Sequence, residues 1–179
     1  MDERLIARCV EGDQQAFALL VSQYQTQVYN LAWRYLGEAE DAKDATQEAF
    51  IKVYHALPKY QGQAKFSTWL YRIVANTCID YLRRRRPQFS LDAPRSDEDE
   101  GSWEIASDEP SLEQQVERQE LRIMVQHQVE SLPPKYRMVV TLYHLQGMSY
   151  QEISQVLDLP VRTVETQLYR AKAMLRERL

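Results

Sequence analysis

Ser149-Tyr-Gln-Glu-Ile-Ser-Gln-Val-Leu-Asp158-Leu-Pro160 runs into Val161-Arg-Thr-Val-Glu-Thr-Gln-Leu-Tyr-Arg170 and closes on Ala171-Lys-Ala-Met-Leu-Arg-Glu-Arg178. Ser149 and Glu152 have the spacing at which a hydroxyl and a carboxylate each satisfy a backbone N–H left open by a first helical turn, so a helix starts there. Ile153, Val156 and Leu157 share one face, and Asp158-Leu159-Pro160 breaks the helix. Val161, Val164, Leu168, Ala171 and Leu175 then form the inner stripe of a second helix. Two short amphipathic helices across a tight turn make a helix-turn-helix. At 100° per residue, Arg162, Thr163, Thr166, Tyr169, Arg170 and Ala173 fall on the outer side of the second helix, where a major groove could be read. Arginine can fork onto a guanine edge, and threonine can meet a thymine methyl or a phosphate. An ordinary helical hairpin with a solvated outer face is the competing reading of these residues.

Upstream, the helical period continues. Glu11-Gly12-Asp13 precedes the run Phe17, Leu20, Val21, Tyr24, Val28, Leu31, Tyr35, Leu36, which Gly37 closes. A second helix is expected from about Glu40, burying Ala45, Ala49, Phe50, Val53 and Leu57 before Pro58. After the loop Lys59 to Lys65, a third is expected from Ser67 through Trp69, Leu70, Ile73, Val74, Thr77 and Leu82 into Arg83-Arg-Arg-Arg86-Pro87. Beyond the midpoint, a helix from about Gln119 (Leu121, Met124, Val125, Val129, Leu132) is followed by one that starts at Pro133-Pro134 and ends at Gly147. With five glycines in 179 residues and few alternating runs, the expected fold class is all-α: two small helical domains, 1–88 and 119–179.

The segment between them, 89–118, reads as a flexible acidic linker. Residues 91–118 hold ten acidic and two basic side chains, so the overall charge of −4 hides a remainder with twenty basic and sixteen acidic residues. Such a segment buries too little apolar surface to offset chain entropy. No run of 18 apolar residues exists and Met1-Asp-Glu-Arg lacks the order of a signal peptide, so a cytoplasmic protein without membrane contact of its own is expected. Cys9 and Cys78 are isolated, and with His55, His127 and His144 they offer neither metal-ligand spacing nor a disulfide framework. No cofactor and no metal are expected.

Two more surfaces carry chemistry. Arg72, Asn76, Asp80 and Arg83, spaced four, four and three apart, share a polar face that continues into Arg84; in front of it lies a loop with Tyr60, Lys65 and Phe66. Rings, amide and cations together suit single-stranded DNA, in which bases stack and cations track phosphates. A solvated asparagine, core aromatics and a simple basic helix end would account for the same residues. On the preceding helix Asp41, Asp44 and Glu48, with Gln47 alongside, form an acidic outer stripe opposite Phe50 and Val53. That stripe is solvated, or a docking face for a basic or amide-rich partner helix, or a Mg²⁺ site for a nuclease. No further acid, His or Lys is placed to complete a two-metal centre.

Taken together, Gly12-Asp-Gln-Gln-Ala-Phe17, Asp41-Ala-Lys-Asp-Ala-Thr-Gln-Glu-Ala-Phe50, Phe66-Ser-Thr-Trp-Leu-Tyr-Arg-Ile-Val-Ala-Asn76, Leu132-Pro-Pro-Lys-Tyr-Arg137 and Ser149 through Arg178 resemble the ECF (extracytoplasmic function) subfamily of RNA polymerase sigma factors. The resemblance implies a non-catalytic initiation subunit. Region 2 would bind core RNA polymerase through Asp41, Asp44, Gln47 and Glu48. It would open promoter DNA at the −10 element with Tyr60, Lys65, Phe66, Arg72, Asn76, Asp80, Arg83 and Arg84, the loop and Asn76 holding an extruded base. Region 4 would read the −35 duplex with Arg162, Thr163, Thr166, Tyr169 and Arg170. It also implies an anti-sigma factor as a partner. Arg162, Glu165 and Gln167 depart from the family's usual glycine, basic residue and arginine. The 29 residues from 89 to 117 span roughly 30 Å as a coil and about 100 Å when extended, enough for elements roughly 70 Å apart if a polymerase holds the segment out. A stand-alone helix-turn-helix regulator remains the alternative function.

Overall fold

A computed structural model describes residues 3–85, 124 and 127–177; the expected linker, and most of the helix expected from Gln119, lie outside these. Among the described residues every regular element is helical. The first domain contains α1 (Glu3–Val10), α2 (Gln14–Leu36), α3 (Ala39–Ala56), a 3₁₀ turn (Leu57–Lys59) and α4 (Phe66–Arg85). After a helical stretch at 127–130, the second contains α5 (Pro134–His144), α6 (Tyr150–Leu157) and α7 (Val161–Arg176).

Local chemistry sets the ends of these helices. Asp13 caps α2 by accepting from the N–H groups of Gln15 (2.9 Å) and Ala16 (3.1 Å), two of the donors a helix start leaves open, while Arg8 holds its other oxygen at 2.6 Å. Gly37, at φ 82°, ends α2 by donating to Trp33 O, a left-handed geometry that costs glycine little. Pro134 opens α5, where its missing N–H leaves no donor unpaired. Both halves of the Ser149–Glu152 capping box are present on α6, and Asp158 closes that helix at φ 54°.

Packing follows the apolar period. Leu20, Val28, Leu31, Ala45, Ala49, Val53, Leu70, Val74 and Cys78 are buried where α2, α3 and α4 cross. Leu132, Val139, Leu142, Ile153, Val156, Val164 and Leu168 fill the second core. Burying side chains of this size is worth about 1.5–3 kcal/mol each, which orders helices too short to persist alone. Helix α1 is such a case: eight residues held by Leu5 and Cys9.

The two domains touch: α6 lies along α4 and α5 against α2. Helix α4 is consequently buried on two sides. Leu70, Val74 and Cys78 form its core stripe, and Thr68, Tyr71 and Ala75, on the adjoining flank, are also covered.

Candidate nucleic-acid interface

The loop after the 3₁₀ turn is shaped by its rings. Phe66, the first residue of α4, is buried with its centroid 5.9 Å from Tyr24, 5.5 Å from Tyr60 and 5.5 Å from Trp69. The expected exposed platform of Tyr60 and Phe66 is thus corrected in one member: Phe66 anchors the loop from inside. Tyr60 stays half-exposed, its hydroxyl donating to Ala64 O at 2.9 Å, and its ring meets Trp69 at 5.1 Å. A cavity of about 310 Å³ opens here between Tyr60, Trp69 and Arg72 on one side and Gln155 of α6 on the other. Trp69, expected in the core, lines this cavity instead; its spacing of three from Phe66 is the available signal.

Arg72 and Asn76 stand exposed one turn apart on α4. Asp80 and Arg83 continue the face but are paired with each other at 2.8 Å. Lys65 does not stand free beside the cavity: its Nζ lies 2.9 Å from Glu152 Oε1 of the helix-turn-helix. The backbone N–H of Ser149, and then this ammonium, hold the Glu152 carboxyl below its ordinary pKa.

The acidic stripe on α3 needs a larger correction. Asp41 is 7 % exposed and forms an ion pair with Arg85, with the Tyr81 hydroxyl nearby, so it is an internal link between α3 and α4 rather than part of an outer face. Glu48 joins Lys52 at 2.9 Å and Arg84 at 2.8 Å, which lower its pKa, and Arg84 is thereby drawn toward α3. Asp44, exposed, takes the Tyr81 hydroxyl at 3.3 Å. Asp41 and Glu48 are neutralised by cations of their own chain, an arrangement that leaves little for a divalent ion. Among the described residues no group of three or more His, Cys, Asp or Glu is gathered as metal ligands. What α3 does present outward is Asp44, Gln47 and, one turn on, Ile51, a large apolar side chain 59 % exposed.

On α7, Val164, Leu168 and Ala171 face inward and Arg162, Thr166, Tyr169 and Arg170 outward, with Thr163 half-buried at the edge. Tyr169 is 76 % exposed. The Thr166 hydroxyl donates to Arg162 O at 2.8 Å, which leaves its methyl group to the groove. Arg170 sits against the Tyr136 hydroxyl and lowers its pKa, so α5 steadies this arginine. No helix among the described residues is long and apolar enough to cross a membrane.

A helical bundle with a ring-lined polar cleft, coupled to a helix-turn-helix in one chain, defines a transcription initiation factor of the sigma-70 class: residues 20–88 match Sigma-70 region 2 and residues 122–175 match Sigma-70, region 4. The chain is 42% identical over 176 residues to the ECF RNA polymerase sigma-E factor of Escherichia coli (strain K12), covering 96% of this chain and 90% of that one. It is 37% identical over 181 residues to the ECF RNA polymerase sigma factor SigW of Bacillus subtilis (strain 168), covering 100% and 97%. The chain belongs to the ECF sigma factors. Among solved structures, CnrH in complex with the cytosolic domain of CnrY superposes with a TM-score of 0.70 at 29% identity, over 98% of this chain and 95% of that one. The sigma factor RpoE of Bartonella quintana, in complex with the anti-sigma factor NepR, shares the fold at a TM-score of 0.67 and 14% identity, over 90% and 94%.

Proposed function

We propose that this ECF sigma factor divides its work among three surfaces, acting in the cytoplasm as a non-catalytic subunit that gives core RNA polymerase its promoter specificity. Residues 1–88 form the polymerase-binding and −10 domain, and 119–179 the −35 domain. Asp44, Gln47, Glu48 and Ile51 of α3 dock on the polymerase, with Asp41 shaping that surface from beneath. The cleft of Tyr60, Trp69 and Arg72, with Asn76 above it, receives an unstacked −10 base: the rings supply stacking and the asparagine amide a donor and an acceptor for a base edge. Arg162, Thr166, Tyr169 and Arg170 read the −35 duplex. An anti-sigma factor covers one or both DNA faces when transcription is not wanted.

The observation that carries this reading is the pairing, in one ECF chain, of an exposed Arg72/Asn76 face beside a ring-lined cavity with an outward Arg162/Thr166/Tyr169/Arg170 face. Run-off transcription from fragments of the source genome, with purified core polymerase, tests it. New discrete transcripts that require this chain and vanish with Gln47→Ala plus Glu48→Ala are expected, and they map its promoters. Binding of those fragments by the chain alone, with no transcript, would instead make it a stand-alone regulator.

A further inference from the structure

Helix α7 holds one acidic residue, Glu165, against Arg162, Arg170, Lys172 and Arg176. Glu165 is exposed in the second turn, with Arg162 one turn before it and Tyr169 one turn after, both of them outward. Elsewhere in the chain, helical carboxylates take a cation three or four residues away: Glu40 takes Lys43 at 2.7 Å, Glu48 takes Lys52 at 2.9 Å and Asp80 takes Arg83 at 2.8 Å. Arg162 stands three residues from Glu165, yet among the described residues neither side chain makes an ion pair. Lys172, two turns further on, lies over the Tyr143 ring at 5.4 Å instead. Across the turn, the Tyr150 hydroxyl is raised in pKa by burial first, then by Tyr143 and then by the charge of Glu165, which places this carboxylate on the edge of α7 toward the start of α6.

A carboxylate brought within about 8–10 Å of phosphates weakens binding to every sequence unless it meets a donor. The floor of the major groove offers two kinds, the N6 amine of adenine and the N4 amine of cytosine, whereas guanine O6 and N7 and thymine O4 accept. Adenine sets its N7 acceptor beside the amine, which suits an amide and repels a carboxylate. Cytosine presents the amine alone. We propose that Glu165 is a specificity residue of the −35 contact: its carboxylate accepts a hydrogen bond from the N4 amine of a cytosine and so selects a C·G pair at one position of the element. The inference rests on the reading of α7 as the −35 helix. Arg162, also without an ion pair, supplies the opposite chemistry one turn earlier, as a fork for guanine. Guanine or thymine at the position facing Glu165 sets an acceptor against the carboxylate, so wrong pairs are rejected as well as the right one attracted. Cytosine has one free N4 hydrogen, which puts the discrimination toward the lower end of what a mismatch costs, about five- to twenty-fold.

The test uses core polymerase carrying the full-length chain and a barcoded library built on a promoter mapped by the run-off experiment, with its −35 segment randomised; transcripts are counted by sequencing. With the native chain, one position should favour cytosine about five- to twenty-fold over the other bases. Glu165→Gln, close in size and at an exposed site, should cut that preference to under about three-fold by admitting adenine, the matched partner of an amide, and leave the other positions unchanged. Glu165→Arg should move the same position from cytosine to guanine. Arg170→Ala, run alongside, tests the −35 reading itself and should lower transcription across the library. A cytosine preference that survives Glu165→Gln, or a uniform rise in transcripts with every base preference unchanged, would overturn the proposal; a loss with Arg170→Ala in the same experiment leaves the −35 reading standing. No base preference anywhere in the segment, together with no effect of Arg170→Ala, would sink both.

Discussion

Arg137 offers the sharpest quantitative test of the packing argument. Its guanidinium donates to Glu130 O at 2.7 Å and Leu132 O at 3.1 Å, pinning the turn before α5, and to Tyr35 O at 2.5 Å across the seam. Hydrogen bonds to a charged donor contribute about 1.5–3 kcal/mol each. The buried Nε makes no hydrogen bond, so the lower figure applies, and the two bonds within region 4 come to about 3 kcal/mol. Arg137→Ala should lose that amount, and Arg137→Lys should recover less than half, because an ammonium is a point charge and cannot fork onto separated carbonyls. With a urea slope of about 1–3 kcal/mol/M, the midpoint for region 4 should fall by about 1–3 M. Circular dichroism at the helical band follows both domains. Tryptophan fluorescence follows Trp33 and Trp69 of region 2 once Trp103→Phe removes the third tryptophan of the chain, and residues 119–179 have none. The two signals should separate in Arg137→Ala, with helicity lost first. A midpoint shift of under about 0.3 M would refute the reasoning and make Arg137 a solvated side chain.

The remaining expectations are quicker to check. Asp41→Ala should cost about 2 kcal/mol in denaturant melts, since it removes the nearly buried carboxylate that ties α3 to Arg85 of α4, while Asp44→Ala should stay within about 0.5 kcal/mol; equal effects would contradict the burial of Asp41. Ile51→Asp should leave the melting temperature unchanged yet weaken binding to core polymerase at least ten-fold in a pull-down titration, and full binding would remove Ile51 from the docking surface. Because Glu152 titrates below its ordinary 4.5, its stabilising contribution is complete above that pH and disappears as acid takes the carboxyl through its depressed pKa. Glu152→Gln should therefore flatten the acid side of the stability curve for region 4, and an unchanged curve would dismiss the linkage. Cys78, buried with its thiol pushed up to about 12, should not react with a thiol reagent at pH 8 until the protein unfolds; rapid labelling of the native chain at this position would show that the core of region 2 opens.

Features set by neighbours three or four residues apart were legible from the chain. The Ser149–Glu152 box, the Gly37 stop, the proline start of α5 and the two faces of α7 all belong to that group. What depends on distant partners was not. Helical period puts Asp41 on an outer stripe, yet Arg85, far along the chain, closes over it. Phe66, written among cations and polar residues, looks like a stacking ring but occupies the first position of α4, where Tyr24 and Trp69 enclose it. Helix α1, only eight residues long, is held by Leu5 and Cys9, whose partners lie outside it. The meeting of Lys65 with Glu152 spans 87 positions and depends on how whole domains pack.

Helix α4 has to satisfy two solvents. Its Leu70, Val74 and Cys78 side is dry in the core of region 2, whereas Thr68, Tyr71 and Ala75 would lose their cover wherever region 4 stood away from α4. Small and hydroxyl-bearing side chains suit that alternation, since water accepts them and a neighbouring helix can still approach closely. A leucine at Ala75 or Thr68 would tighten the closed form but leave an oily patch on the extended one. Precipitation of the working form, more than failure to fold, is then the pressure that keeps this side of the helix from becoming a second core.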